Sequence, residues 1–149
     1  MNWRGRPRIE AASAGSQPAG FVHEMTYQVL EELGLRPAGL VSKSWKDLRE
    51  QDFDAVITLC GYARDAICPQ WPAPTEGKLP VWVHWGFEDP TANWLLPDGP
   101  RLAEFRGVRD EILECVERLA AAPDGVLQDD ARFAELVGRI AADAPNPGE

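Results

Sequence analysis

"DFDAVITLC", Asp52–Cys60, is the stretch whose reading decides the fold. Acidic and apolar residues alternate at its start and then give way to the β-branched run Ala55–Leu59, a pattern that predicts a strand buried on both faces inside a parallel sheet. A second strand is predicted in "LPVWVHW", Leu79–Trp85, which is again rich in β-branched and aromatic residues. Between the two, Pro69, Pro72 and Pro74 keep the connection irregular. Upstream, "RIEAASA" (Arg8–Ala14) reads as a short strand ending at Gly15, and the turn-prone "GSQPAG" follows it.

Helical spacing accounts for much of the rest. Met25, Val29, Leu30 and Leu33 recur on one face, with Gly34 placed to stop the helix in a left-handed cap. Ser44 can cap a short turn running through Leu48. From Leu102 onward, Phe105, Val108, Ile112, Cys115, Val116 and Leu119 form one apolar face and predict a long amphipathic helix ending near "AAPDG" (Ala121–Gly125). Phe133, Leu136, Val137 and Ile140 mark a last helix that starts after Asp129 or Asp130, before the tail "DAPNPGE". Alternating strands and helices place the chain in the α/β class, with a mostly parallel sheet covered by helices on both faces.

Composition narrows the function. With 149 residues, 44% of them hydrophobic, the chain can build one domain without covalent stapling. Its 15 Lys and Arg against 24 Asp and Glu give a net charge of -9, which repels both nucleic-acid backbones and anionic membrane surfaces. No apolar run approaches the roughly 20 residues that span a bilayer. The start "MNWRGRPRIEAASAG" has basic residues but no hydrophobic stretch behind them for secretion, so a cytoplasmic location is expected. In that reducing compartment, three cysteines do not make a disulfide framework, and any bridge is expected to be transient and catalytic.

Ligands of open parallel sheets bind beyond the carboxyl ends of the strands. Cys60 is the first residue past "AVITL", and Asp89 lies in the loop after "VWVHW", so a thiol and a carboxylate are expected at the same rim. Cys68 follows Cys60 closely in the chain. "GYARDAI" (Gly61–Ile67) has the composition of a helical turn, and backbone amides at the start of such a turn favour a thiolate. Four readings of the Cys60–Cys68 pair are open from the residues alone: metal clamp, structural bridge, redox couple, or two unrelated buried thiols. Zinc sites use shorter cysteine spacings, and only His23 and His84 offer imidazoles, so no metal or other cofactor is expected. Cys115, on the apolar stripe of its helix, reads as core. Asp89 before Pro90 reads equally well as the start of a turn.

In order and spacing, "SAGSQPAG", "GLVSKSW", "DFDAVITLC", "CPQWP", "HWGFEDP" and "FRGVRDEI" together resemble arsenate reductases of the low-molecular-weight tyrosine phosphatase fold. The similarity runs from about Arg6 to Leu119, and "HWGFEDP" (His84–Pro90) is its most specific segment. It implies a three-layer domain over residues 1–122, with residues 123–149 as a helical extension and tail, since "FAELVGRI" looks like an extension of some of these proteins. The resemblance also implies a chemistry. A cysteine in a C-x5-R loop attacks arsenic, a second cysteine releases arsenite as a disulfide forms, and a third cysteine with thioredoxin, or a small thiol with glutaredoxin-like help, resolves it. Cys60 matches the second cysteine, Cys68 the third, and Asp89 the acid that protonates the leaving oxygen.

One departure from the family pattern stands out. No C-x5-R occurs: the sixth residue after Cys60 is Ala66, after Cys68 it is Pro74, and after Cys115 it is Ala121. The resemblance thus implies a chain that begins inside the family's first helix, without the first strand and anion loop, and that is inactive alone. The first strand of the family lies between those matching "RIEAASA" and "DAVITLC", so two inner edges must be paired or covered. A late start site, direct pairing of those two strands, or a homodimer would each do so. The alternative function is a non-catalytic member that holds arsenite or another soft ion through its thiols, or serves as a partner subunit. Tyrosine phosphatase activity ranks lower, because it needs the same missing loop.

Overall fold

The computed structural model describes residues 8–61, 64–65 and 78–145. Two strands, β1 (Ala55–Thr58) and β2 (Val81–His84), pair in parallel, in register from Ala55 with Val81 to Thr58 with His84. Both lie where the sequence predicts strands. The three prolines expected to keep the connection irregular fall outside the described residues, as does Cys68.

The β-branched run of β1 predicts burial on both faces, yet Ala55, Val56 and Ile57 are only half-buried and Thr58 alone is buried. Among the described residues the sheet has two strands, so β1 is an edge rather than an inner strand. The predicted strand at Arg8–Ala14 does not form, and most of that segment is exposed. A strand exists by pairing, and this one belongs to no ladder. One residue further on, Gly15 makes an isolated parallel bridge to Ser44: its N–H donates to the Lys43 carbonyl (2.9 Å), and its carbonyl accepts from the Trp45 N–H (3.1 Å). Direct pairing of "RIEAASA" with "DAVITLC" therefore does not occur in these residues.

Helix α1 (Glu24–Glu31) starts at His23, whose Nδ1 accepts the Met25 N–H (3.2 Å) and whose ring packs 4.8 Å from that of Phe105. It ends as the sequence predicts. Gly34, at φ +73°, donates to the Glu31 carbonyl (2.8 Å) while Leu35 donates to that of Leu30 (3.2 Å), the paired closure that a left-handed glycine permits. Ser44 caps a 3₁₀ turn, Trp45–Asp47, by reciprocal bonds with Asp47.

Helix α2 (Asp98–Ala120) begins ahead of its apolar stripe. Asp98, Gly99 and Pro100 carry no hydrophobic periodicity, but a first turn tolerates proline and favours an acid, so the helix extends over them. Two helices follow: α3 (Asp124–Leu127), which the sequence reading misses, and α4 (Asp130–Asp143). Asp129 caps α4 by accepting the Arg132 N–H (2.9 Å), at the expected start.

Trp85, Phe87, Cys115 of α2 and Ile140 of α4 form the main core, with Ile57 and Val83 of the sheet against them. The helices α2 and α4 thus cover one face. Val56 and Trp82 lie on the other face and are half-buried. A second cluster, Met25, Val29 and Phe105 with Leu102, docks α1 on α2. No described helix is long and apolar enough to cross a membrane.

The docking of α1 on α2 has a polar latch. Arg106 forks the Glu32 carboxylate at 2.7–3.1 Å, and Arg109 reaches both Glu32 Oε2 (2.8 Å) and the Val29 carbonyl (3.0 Å). Arg106 first, and Arg109 with it, hold the Glu32 carboxyl down at about 2 from an ordinary 4.5, against an opposing cost of desolvation. A depressed carboxyl stabilises the fold above its unfolded value, and that contribution is lost as pH falls from 4.5 toward about 2. Glu32→Gln is therefore expected to lose less stability than the parent on acidification. Urea midpoints at about pH 5 and about pH 3 check this, and equal losses would refute it.

Candidate functional site

Both strands end at one rim, and the two loops leaving it remain tied. Thr58 and His84 are the last register partners, and Thr58 Oγ1 lies 2.9 Å from His84 Nδ1. Beyond them the Trp85 N–H donates to the Thr58 carbonyl (2.9 Å) and the Phe87 N–H to the Leu59 carbonyl (3.2 Å). The side chains of Trp85 and Phe87 are buried in the core and pin this loop from beneath.

Cys60 follows directly and is exposed. The backbone then turns helical at Gly61, Arg64 and Asp65, and the Arg64 N–H donates to the Cys60 carbonyl (3.1 Å), so the expected turn begins at the thiol. Arg64 Nε donates to Asp65 (2.9 Å). That bond and the Arg64 charge hold the Asp65 carboxyl below its ordinary range, with a further contribution from the charge of His84.

Asp89 is also exposed, two residues beyond Phe87. Its Oδ1 accepts both the Thr91 N–H (2.8 Å) and the Thr91 hydroxyl (2.7 Å), while the Ala92 N–H donates to its carbonyl (3.0 Å). The turn-starting role of Asp-Pro is realised, and it fixes the carboxylate at the surface. The fold thus brings Cys60 and Asp89 onto adjoining loops joined by the Phe87–Leu59 bond.

Cys115 is a core residue, packed among Trp85, Phe87 and Ile140. Burial pushes its thiol up, with Arg118 opposing and Glu114 and Glu111 adding. His23 is spent on capping α1. Among the described residues, no cluster of His, Cys, Asp and Glu has the arrangement of a metal site.

The Thr58–His84 contact is absent from the sequence reading, which weighs His84 only as an imidazole for zinc. A weak signal exists: Thr58 is the one hydroxyl in an otherwise apolar run, and His84 closes the other strand. Only the register, however, places them together.

An exposed thiol and an exposed carboxylate thus lie on the loops that leave the carboxyl ends of a parallel pair in an α/β protein. Residues 2–131 match the family described as low molecular weight phosphotyrosine protein phosphatase. Similar proteins include an "Arsenate reductase" of Halalkalibacterium halodurans, 36% identical over 108 residues that make up 72% of each chain. A "Glutaredoxin arsenate reductase" of a Synechocystis species is 31% identical over 117 residues, 78% of this chain and 79% of that one. An "Arsenate reductase" of Bacillus cereus is 42% identical over a shorter 67 residues, 45% of this chain and 40% of its own. The chain belongs to the low molecular weight phosphotyrosine protein phosphatase family.

Proposed function

We propose that this chain carries the thiol-relay half of an arsenate reductase site. The supporting observation is the exposed Cys60 beside the exposed Asp89, on loops joined by a backbone bond, in a chain similar to proteins named arsenate reductase. In this reading an oxyanion-binding cysteine elsewhere attacks arsenate, and Asp89 gives a proton to the departing oxygen. The Cys60 thiolate then attacks the sulfur bound to arsenic. A sulfur–sulfur bond forms and the sulfur–arsenic bond breaks; its electron pair stays on arsenic, which leaves as arsenite. Cys68 attacks that disulfide, releases the first cysteine and becomes paired with Cys60, and an external dithiol reduces the pair. The name of the Synechocystis relative supports a glutaredoxin as that reductant, with thioredoxin the other option.

The 149 residues contain no C-x5-R, the motif whose backbone amides and arginine would grip a tetrahedral oxyanion. We therefore propose no turnover by this polypeptide alone, and a cytoplasmic setting in which Cys60 and Cys68 are kept reduced. Residues 1–122 would then be the family domain without its first strand and loop, and 123–149 an extension. A homodimer is one way to cover the edge that β1 presents among the described residues.

The test is arsenite release from arsenate by the purified chain, with thioredoxin or glutaredoxin systems supplied in turn. Background rates are expected, and clear turnover would overturn the inactivity. A second reading, a soft-ion binder, rests on the same exposed thiol. Arsenite titration with a free-thiol count decides it: no protection, and no change in Cys60→Ser, would end it.

A further inference from the structure

We infer that Thr91 is a positioning residue for Asp89: its hydroxyl closes Oδ1 and leaves Oδ2 as the oxygen that carries and delivers the proton. The inference rests on Asp89 as the acid of the proposed function. Asp89 Oδ1 accepts the Thr91 N–H at 2.8 Å and the Thr91 hydroxyl at 2.7 Å. A carboxylate oxygen offers two lone pairs, so these two donors fill it. Among the described residues both donors to this carboxylate meet the same oxygen, and the proton of the acid form has its place on Oδ2. A turn begun by aspartate needs only the backbone bond, from the N–H two residues on. Pro90, between them, has no N–H to compete for the carboxylate. The hydroxyl bond is therefore additional to the turn, and it acts on the carboxylate rather than on the backbone.

The backbone around Asp89 is fixed by other means. The Ala92 N–H closes the turn on the Asp89 carbonyl (3.0 Å), and upstream the Phe87 N–H bonds the Leu59 carbonyl (3.2 Å) while the Phe87 ring is buried in the core. These contacts leave the side chain undetermined. An exposed aspartate on a fixed backbone exchanges among staggered rotamers, and its carboxylate turns about a broad, roughly two-fold torsion. With both Thr91 bonds in place, the rotation that would exchange Oδ1 and Oδ2 is opposed by two donors. In the proton transfer the O–H bond at Oδ2 breaks, the proton goes to the oxygen departing from arsenic, and the electron pair stays behind as the carboxylate forms. The negative charge so created is shared with Oδ1, where two donors are already aimed, and bonds to an ionised acceptor are the stronger kind. Thr91 thus orients the acid and also receives its conjugate base.

Thr91→Val removes the hydroxyl while keeping the shape and the N–H, so it separates the carboxylate's orientation from the turn. In the 149-residue protein, the three-bond couplings from Asp89 Cγ to its own N and carbonyl carbon are expected to report one rotamer in the parent and in Thr91→Ser. In Thr91→Val they are expected to report averaged rotamers, at a urea midpoint equal to the parent's. Parent-like couplings in Thr91→Val would overturn the inference. Joined behind a segment supplying a strand, a C-x5-R loop and a helix, Thr91→Val is expected to lose at least about fivefold in the single-turnover rate at saturating arsenate, and Thr91→Ser to recover it. A parent-like rate in Thr91→Val would overturn the inference and leave Asp89 as the acid. Asp89→Asn keeps an oxygen for both donors but has no acidic proton, and its rate is expected to fall at least about a hundredfold. An Asp89→Asn protein that turns over like the parent would overturn the acid reading and the inference together.

Discussion

Fused behind a segment supplying a strand, a C-x5-R loop and a helix, the chain is expected to reduce arsenate, and Cys60→Ser is expected to return that activity to background. The loss should reach at least about a thousandfold, because removing a nucleophile that acts in sequence with others stops the whole sequence rather than one increment of it. The donated loop supplies the C-x5-R motif that the 149 residues do not contain, with its ring of amides and an arginine around the oxyanion. Its strand has a place to go, since β1 is an edge among the described residues although its β-branched composition suits an inner strand. Serine retains the size of Cys60 and removes the sulfur, so folding is spared and the relay is not. A fusion at background, or a Cys60→Ser fusion that still turns over, would remove Cys60 from the reaction. Arsenite release with glutaredoxin and with thioredoxin also separates the two reductants.

Ile140→Ala is expected to destabilise the protein by about 2–5 kcal/mol, the range for emptying a fully buried aliphatic site. Ile140 has no exposed surface and fills the space between Trp85, Phe87 and Cys115. That position ties α4 to α2 and to the sheet at once, so the cavity has few ways to collapse. Trp85 and Phe87 are also the residues beneath the loop that carries Asp89, which makes the C-terminal helix a support of the rim. The shift in urea midpoint at unchanged slope measures it. A change below about 1 kcal/mol would mean that residues 123–149 form a dispensable appendage.

The contrast between Ile140 and Arg8–Ala14 explains what was legible in the sequence. Periodicity in α2 and α4 survives because a helix satisfies its backbone internally and needs only one apolar face to be covered. The capping residues Gly34, Ser44 and Asp129 act as read for the same reason, since each bond spans a few residues of chain. "RIEAASA" fails because a strand satisfies its backbone through another strand, and no local pattern says whether one is present. The exposed thiol and carboxylate could be placed at a common rim from the strand ends alone.

The order of residues by itself determined the apolar stripes of α1, α2 and α4, the caps at Gly34, Ser44 and Asp129, the strand segments β1 and β2, the buried place of Cys115 and the absence of a C-x5-R motif, all of which depend on neighbours near in the chain or on composition. Tertiary structure alone decided that β1 is an edge among the described residues, that α4 packs against α2 and the sheet, and that Thr58 meets His84 where the loops of Cys60 and Asp89 leave the strands. These contacts join residues far apart in the chain, and their existence depends on register and on which strands are present to pair. Those are properties of the assembled sheet and of no single segment.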